Sequence, residues 1–477
     1  MLISLSKVGV FGNKGLSLLM IKKFLILNKK PILIFVIVFL TELLTIFILS
    51  QIHSFEIFLR GDGRDYQNLA NNLIYHQTLA ITSNPPYLPT SFRTPIYPFW
   101  LAFIYLIFKS YNVAIFIGAA VFAISSSLVY LIGREIFTEK IAITAAFLSG
   151  LEPWALFQAG FIAAEQIFMP IFLLSVYFFC RYLKSGSARH LYSATVILGI
   201  SVLTRPATLL FIAIYVFLAF IFELRYSFWQ SLKTSALIFL IFIAVLIPWL
   251  VRNKIVLNSW QFSSASGIRT FGDYIMLEKY IGKTNPNELV DIYEEAKKIL
   301  GANSDVEAIT TVENSEKLTQ VALKGIKDNL SLFLKMHFEN MALFFFKNSY
   351  SNVFFDFDIP DSNIQSKLGD YFKQNLNPVG LIREASLGAK ILIMLAFFWP
   401  LIIFLAVVGV LKMFKKNRHD LLFWFLILWI IYFPFLVAWG DISRYRLSIH
   451  APLFLLAVVG FYKILDYFFK HENLKFK

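Results

Sequence analysis

Long apolar runs alternate with short polar segments along most of the chain. The apolar residues within each run are continuous rather than alternating with polar ones, which predicts helices and not the strands of a membrane barrel. The pattern therefore predicts an all-α polytopic membrane protein, with one shorter run at 191–203. The predicted spans are 31–50, 113–132, 141–161, 167–183, 191–203, 207–222, 235–251, 391–411, 421–438 and 449–468.

Composition supports a membrane protein. Hydrophobic residues make up 58% of the 477 residues and charged residues only 16%, whereas soluble chains carry about 25% charged residues. A net charge of +14 is also compatible with nucleic-acid binding. We expect no nucleic-acid partner, because Lys and Arg concentrate in alternate short loops, where they set orientation and meet anionic lipid. The single cysteine, Cys180, excludes an intramolecular disulfide and CxxC chemistry.

The loop charges predict a cytoplasmic N-terminus and an organisation in three modules. Residues 1–251 form an N-terminal transmembrane module whose first outer loop is 51–94, and residues 391–477 form a C-terminal one. Residues 252–390 hold 17 of the 30 acidic residues, which predicts a small soluble outer domain with helices at 285–300 and 315–329. The apolar segments 95–108 and 330–346 are predicted to be interfacial, and the first of them alternatively re-entrant.

Carboxylates in the first outer loop and at the end of one span are candidates for acid–base chemistry. Asp62 and Asp65 stand at the start of a predicted helix, 66–75, where free N–H groups and the helix dipole favour anions. Either residue is alternatively a simple N-cap. Glu165 lies at the outer end of a span, where a carboxylate is costly and commonly functional. Glu152, inside the preceding span, is more simply a partner for an arginine that holds the bundle together.

Five arginines fall at the predicted outer ends of spans, where positive charge is disfavoured. A guanidinium group offers a fixed fork of donors that matches phosphate oxygens, so these residues are candidates for binding a lipid phosphate. Snorkelling to headgroups, or pairing with a carboxylate, explains them equally well. They are Arg93, Arg205, Arg252, Arg444 and Arg446.

Motifs for other chemistries are missing from the sequence. The histidines show neither HxxxH nor HExxH spacing, and there is no P-loop, GxSxG elbow or GxGxxG. The sequence requires no cofactor, although a divalent cation remains possible.

Six segments spread over most of the chain carry a resemblance to a known class of protein. They are GDGRDYQNLANNL, SFRTPIYPFWLAFIYLIF, EPWALFQAGFIAAEQIF, LTRPATLL, IPWLVRN and DISRYRLSIHAPLFLLAVVGF. Taken together, these segments resemble the membrane-embedded glycosyltransferases of the GT-C class. The likeness is greatest to the bacterial relatives of protein O-mannosyltransferases and of lipid A aminoarabinose transferases (glycosyltransferase family 39-like).

The resemblance implies a bundle of about 10–12 transmembrane helices and a reaction on the periplasmic or extracellular face of a bacterial inner membrane. A sugar passes, with inversion, from a polyprenyl phosphate to a lipid, protein or glycan acceptor. It implies Asp62 as general base, Glu165 as the second acidic residue and Arg205 as the phosphate ligand. The family often has adjacent Asp and Glu, whereas here Gly63 follows Asp62 and leaves the partner role open to Asp65.

The remaining arginines would assist phosphate binding, and Tyr66 and Tyr97 would contact substrate. A transporter or flippase of lipid-linked glycans, a polysaccharide polymerase or ligase, and an inactive structural subunit stay open as alternatives. A transporter usually has internal repeats, and the chain shows none.

Overall fold

The computed structural model describes residues 29–282, 291–301, 309–347, 350–361, 363–364, 367, 379–436 and 442–469. In these ranges the chain forms helices and turns without strands. The N-terminal half contains α1 Lys29–Ile52, α2 Gly63–His76, α3 Ile96–Phe108, α4 Tyr111–Ile136, α5 Glu139–Leu151, α6 Pro153–Ala159, α7 Glu165–Ser185, α8 Ala188–Thr204, α9 Ile212–Glu223 and α10 Phe228–Leu257.

The C-terminal half begins with helices outside the bundle and returns to it. It contains α11 Ala265–Tyr280, α12 Ile292–Leu300, α13 Val312–Asp328, α14 Leu330–Phe346, α15 Tyr350–Asp356, α16 Val379–Glu384, α17 Leu387–Ala396, α18 Phe398–Asn417, α19 Leu421–Leu436, α20 Ile442–Arg446 and α21 His450–Phe469. Short 3₁₀ helices lie at Phe55–Leu59, Pro206–Phe211 and Leu447–Ile449.

Seven helical stretches in the described part of the chain are long and apolar enough to cross a membrane, and α5 with α6 makes an eighth if this bent pair is one span. The predicted class, an all-α polytopic membrane protein, is therefore confirmed. Each of the ten predicted runs overlaps helical residues in the described part of the chain, although 141–161 and 391–411 are each divided between two helices. The runs at 191–203 and 421–438 correspond to α8 and α19, with 17 and 16 residues, fewer than the roughly 20 that a perpendicular span needs.

Helix α3 packs along α2 from end to end. Its beginning lies at Tyr97, whose ring is 4.6 Å from that of Tyr66 in α2. Its end lies at Tyr105, whose hydroxyl is 3.5 Å from that of Tyr75. The next helix starts there too, since the Tyr111 hydroxyl donates to Asn71 of α2 at 2.5 Å. Both ends of α3 thus contact α2, and the interfacial placement of this helix stays a prediction.

The predicted span 141–161 is broken at Glu152, and α5 and α6 meet at 59°. Pro153 cannot continue the α5 hydrogen-bond ladder, and the Glu152 side chain caps the new helix by accepting from the Ala155 N–H at 2.8 Å. The same carboxylate accepts from the Tyr350 hydroxyl at 2.6 Å. Glu152 therefore does hold the bundle together, but through a tyrosine of α15.

Helices α11, α12 and α13 pack around a small core of their own outside the bundle. Its buried members include Phe271, Ile275, Leu318 and, from the first loop, Phe92. The predicted helix at 285–300 starts outside the described residues, and its described portion is α12. Phe92 is followed in the chain by Arg93, so this small core holds the backbone directly beside one of the candidate site residues.

The far end of the bundle is marked by ion pairs between short connections. Lys30 pairs with Glu139, and Lys184 lies 3.3 Å from Glu135. These connections belong to the basic loops predicted to lie on the inner side.

Candidate active site

Two glycines shape the loop that carries Asp62. Gly61 has φ +61°, a conformation that glycine adopts without steric cost. A Cβ at Gly63 would lie 3.2 Å from the Ile162 carbonyl oxygen, so glycine lets the loop approach the turn between α6 and α7. The Ile162 N–H donates to the Phe58 carbonyl at 2.9 Å. This contact brings Asp62 to the start of α7.

Asp62 occupies the N-cap position of α2, but its side chain makes no capping hydrogen bond. Its Oδ1 instead accepts from Arg93 Nη2 at 2.7 Å. The same nitrogen lies 2.7 Å from Asp65 Oδ2. The capping interpretation therefore does not describe Asp62, whose carboxylate is directed to the charged groups of the site.

Glu165 is the first residue of α7, and only 1% of its side chain is exposed. Arg205, which follows α8, donates to its Oε1. Arg444 of α20 donates to the same oxygen through Nε at 2.8 Å and to Asp62 Oδ2 through Nη2 at 2.9 Å. One guanidinium group thus joins the two carboxylates that the sequence places on separate segments.

Six side chains form a continuous series of alternating charges, which we call the ion-pair chain. It combines the first loop, the start of α7, the end of α8 and α20, with exposed side-chain fractions between 1% and 33%. Its members, in order, are Asp65, Arg93, Asp62, Arg444, Glu165 and Arg205. Buried charges need such compensation, because transfer out of water costs several kcal/mol per ion.

The two loop carboxylates differ in acidity. Burial by itself would raise the pKa of Asp62, but the charges of Arg93 and Arg444 outweigh it and hold that pKa well below its usual range. Burial raises the pKa of Asp65 in spite of Arg93, and the neighbouring Asp62 carboxylate adds to the rise. Asp62 is therefore the more firmly ionised member of the pair.

Tyr445 extends the site toward the outer helices. The Arg205 guanidinium lies 4.6 Å from the centre of its ring, and that of Arg269 lies 5.3 Å from it. Arg269 also donates to the Tyr445 hydroxyl at 3.2 Å. Arg269 belongs to α11 and was missed by the sequence analysis, since nothing in a charged, solvent-facing helix distinguishes it.

The two tyrosines predicted to contact substrate are packed inside the protein. Tyr66 lies edge-on to Tyr97 and beneath Arg93, 5.5 Å from ring centre to guanidinium carbon. Tyr97 is fully buried, and its hydroxyl donates to Gln166 Oε1 at 2.9 Å. Tyr97 has no exposed side-chain surface in this structure, and its contact with substrate stays a prediction.

Two of the five arginines lie outside the ion-pair chain. Arg252 donates to the Thr90 carbonyl at 2.9 Å and packs over Trp249. Arg446 is only 1% exposed, donates to the Phe344 carbonyl at 3.0 Å and packs on the Trp399 ring at 3.9 Å. The predicted phosphate role of Arg446 does not agree with this burial, which explains it as a support between α14 and the bundle.

A cavity of about 360 Å³ opens beside the ion-pair chain, which we call the Asp62 cavity. Asp62 and Arg444 form part of its wall, and α6 and α15 provide much of the rest. Burial raises the pKa of the Tyr293 phenol in α12, and the charges of Arg93 and Asp65 also act on it.

A divalent cation between Asp62 and Glu165 does not fit the arrangement of these side chains, because the Arg444 guanidinium lies between them. Among the residues that the structure describes, no group of three or more His, Cys, Asp or Glu side chains is placed to hold a metal ion.

Residues 92–251 match the family model for dolichyl-phosphate-mannose-protein mannosyltransferases. This segment includes Arg93, Glu165 and Arg205. The resemblance to GT-C glycosyltransferases that the sequence predicts is thus confirmed over this part of the chain. No curated protein matches the chain in sequence.

Similar solved structures include an archaeal oligosaccharyltransferase from Archaeoglobus fulgidus in its apo form, with a TM-score of 0.48 and 16% identity over 93% of this chain and 52% of that one. The same archaeal enzyme, AglB, in complex with an inhibitory peptide and a dolichol-phosphate gives a TM-score of 0.47 and 15% identity over 92% and 52% of the two chains. The chain thus spans about half the length of these proteins. At such scores, the roles of the site residues rest on their own geometry.

Proposed function

We propose that the protein is an inverting glycosyltransferase that moves a sugar from a polyprenyl phosphate to an acceptor at the membrane surface. The observation that carries this proposal is the ion-pair chain beside the Asp62 cavity, at the loop end of a helical membrane bundle. It combines carboxylates suited to proton transfer with arginines suited to a phosphate. The family match at residues 92–251 supports the same reaction class.

The donor phosphate binds to the arginines at the α20 side of the site. Arg205, Arg444 and Arg269 lie around Tyr445 and Glu165, so several guanidinium donors are available on this side of the site for the oxygens of one phosphate. When the bond from the anomeric carbon to the phosphate oxygen breaks, negative charge develops on that oxygen. Fixed guanidinium donors stabilise this charge and lower the barrier.

Asp62 acts as the general base. The acceptor O–H attacks the anomeric carbon, its proton passes to an Asp62 oxygen, and polyprenyl phosphate leaves. An Asp62 that accepts from two arginines is a weak base, because its pKa is held low. A donor phosphate that competes for Arg444 weakens this hold, so that donor binding increases the basicity of Asp62 before the acceptor reacts. General base catalysis of this type contributes about 10²–10⁴-fold.

The acceptor enters from the side of the outer helices, and the site lies on the periplasmic or extracellular face of a bacterial inner membrane. This placement follows the loop charges, with basic connections such as those at Lys184 and Lys30 at the opposite end of the bundle. The donor requires no nucleotide, which suits a compartment without nucleotide sugars.

The test is donor turnover by the purified protein in detergent. Wild type and Asp62→Asn are incubated with a panel of radiolabelled polyprenyl-phosphate sugars, and released or transferred sugar is counted. We expect wild type to consume one donor and the folded Asn variant to lose at least 10²-fold of that rate. An Asn variant with full rate removes the base role from Asp62. A wild-type protein that binds donors without consuming any, with acceptors of all three classes present, supports glycan transport instead.

A further inference from the structure

We propose that the Asp62 cavity binds an uncharged sugar ring. This inference rests on the proposed function, and it adds the class of sugar and the residues that select it. Its volume of about 360 Å³ lies within the range of ligand pockets, which is about 300–1,000 Å³. It adjoins Asp62, so a sugar bound there lies next to the base.

Four aromatic rings line part of the cavity. Trp154 and Phe157 of α6 lie with ring centres 5.6 Å apart, and Phe161 follows at 4.7 Å from Phe157. Phe355 of α15 also lines the cavity and is 66% exposed. Flat aromatic faces are large apolar surfaces with two rotatable bonds each, and they fit the C–H faces of a sugar ring.

The lining also includes two side-chain amides, those of Gln158 in α6 and Asn352 in α15. Gln158 is only 6% exposed, and its side-chain amide makes no hydrogen bond within the part of the chain that the structure describes. Asn352 is exposed. Ligand hydroxyl groups, which both donate and accept, satisfy such amides.

The charges that line the cavity cancel. Arg60 forms an ion pair with Asp356 of α15, and Arg444 is paired with Asp62. An amino or carboxylate group on the sugar therefore has no unmatched counter-charge in the wall, and its desolvation is uncompensated. The cavity consequently favours a neutral sugar over an amino sugar or a uronic acid.

A polyprenyl chain is the other occupant that aromatic walls accommodate. The isoprene units of such a chain cannot hydrogen bond to Gln158 or Asn352. They would also displace water from the charged groups of Arg60 and Asp356 without replacing its hydrogen bonds. The polar half of the lining thus favours a sugar.

The test uses the full-length purified protein and two cavity variants, Phe355→Ala and Gln158→Leu. Phe338→Ala in α14 is the matched control, since Phe338 is 60% exposed and is absent from the cavity wall. The substrates are a radiolabelled polyprenyl-phosphate hexose and the corresponding aminopentose. We expect wild type to prefer the hexose, and each cavity variant to raise the KM of the sugar-bearing substrate about tenfold. The control should keep the wild-type KM.

Two arms distinguish the source of the sugar. If the cavity holds the donor sugar, both variants raise the donor KM even for hydrolysis without an acceptor. If it holds an acceptor sugar, donor hydrolysis is unchanged and only the KM of a neutral oligosaccharide acceptor rises. Wild-type KM values in both arms, or preference for the aminopentose, overturn the proposal. So does inhibition by sugar-free polyprenyl phosphate that weakens in Phe355→Ala, since it identifies the prenyl chain as the occupant.

Failure of the glycosyltransferase proposal gives a different result. If wild type consumes no donor, direct binding of methyl hexopyranosides is measured by saturation-transfer NMR in detergent. A signal in wild type that is lost in Gln158→Leu and kept in Phe338→Ala supports the sugar site without the enzyme activity. No signal in wild type overturns the sugar site as well.

Discussion

Arg444 donates from Nη2 to Asp62 Oδ2 at 2.9 Å, although 382 positions separate the two residues along the chain. This hydrogen bond joins the last transmembrane module to the first loop. Because Arg444 also donates to Glu165, its guanidinium group fixes the relative positions of both acidic residues. The geometry of the site therefore depends on where α20 places the Arg444 side chain relative to the start of α7.

Substitution of Arg444 should show how much of the activity depends on the hydrogen bonds from its guanidinium group to Asp62 and Glu165. We expect Arg444→Ala to lower kcat/KM for the polyprenyl-phosphate donor about 10²-fold, since a preorganised donor is lost and two carboxylates lose a shared partner. Arg444→Lys keeps the charge but not the planar fork, and should lose about tenfold.

Arg64→Ala is the matched control for this substitution. Arg64 lies in α2 near Asp62 and is 74% exposed, and its ion-pair partner among the described residues is the exposed Glu56. Surface pairs of this kind contribute little, so the variant should keep the wild-type kcat/KM. Equal losses in Arg64→Ala and Arg444→Ala would point to a general effect of removing positive charge.

The pH profile should separate Asp62 from Asp65 as the base. The depressed pKa of Asp62 keeps it ionised as pH falls, so activity that depends on it persists until below about pH 4, the usual value for Asp. The raised pKa of Asp65 would instead give an acid limb above that value. We expect kcat/KM of wild type and of Asp65→Asn to share the same profile between pH 4 and 8. An acid limb in this window that disappears in Asp65→Asn would assign the base role to Asp65.

Chelation should leave transfer unchanged. The Arg444 guanidinium lies between Asp62 and Glu165 and already neutralises the charges that a divalent cation would bridge. We expect donor turnover with EDTA to equal turnover with Mg²⁺ or Mn²⁺. A loss that either ion restores would mean that Arg444 leaves this position during the reaction.

The fold class could be predicted from the sequence because membrane spans are local features. A run such as 113–132 has to be apolar for its full length, and the helix Tyr111–Ile136 contains it. The break of the predicted span 141–161 into two helices was harder to predict from the sequence, although Pro153 marks the place where it occurs. One proline in a membrane helix is compatible with either a kink or a break, and the choice depends on Tyr350, almost 200 residues later.

The site was only partly predictable for the same reason. Asp62, Arg93, Glu165, Arg205 and Arg444 stood out because each is a charge near the end of an apolar run. Arg446 stood out equally, yet it lies buried against Trp399, since a position at the end of α20 does not reveal which way a side chain points. Arg269 carried no sequence signal, because its role depends on the packing of α11 over Tyr445.

Gly63 should be needed for the approach of the loop to the α6–α7 turn. A Cβ at this position lies 3.2 Å from the backbone oxygen of Ile162, so Gly63→Ala requires the two segments to separate and moves Asp62 from Glu165. We expect kcat/KM to fall about tenfold, because catalytic groups tolerate little displacement. Gly380→Ala is the control, since nothing lies within 4 Å of its added Cβ. Wild-type activity in both variants would show that the loop adjusts without moving Asp62.

Cysteine labelling should establish on which side of the membrane α3 ends. Cys180 is buried, so a Cys180→Ser background carries one new cysteine at a time. Arg64→Cys precedes α3 and Asn112→Cys follows it, and both positions are exposed. Because α3 packs along α2, both should react with a membrane-impermeant maleimide on intact cells, whereas Lys184→Cys should react only after permeabilisation. Opposite labelling of Arg64→Cys and Asn112→Cys would mean that α3 crosses the membrane, and that every later span is inverted.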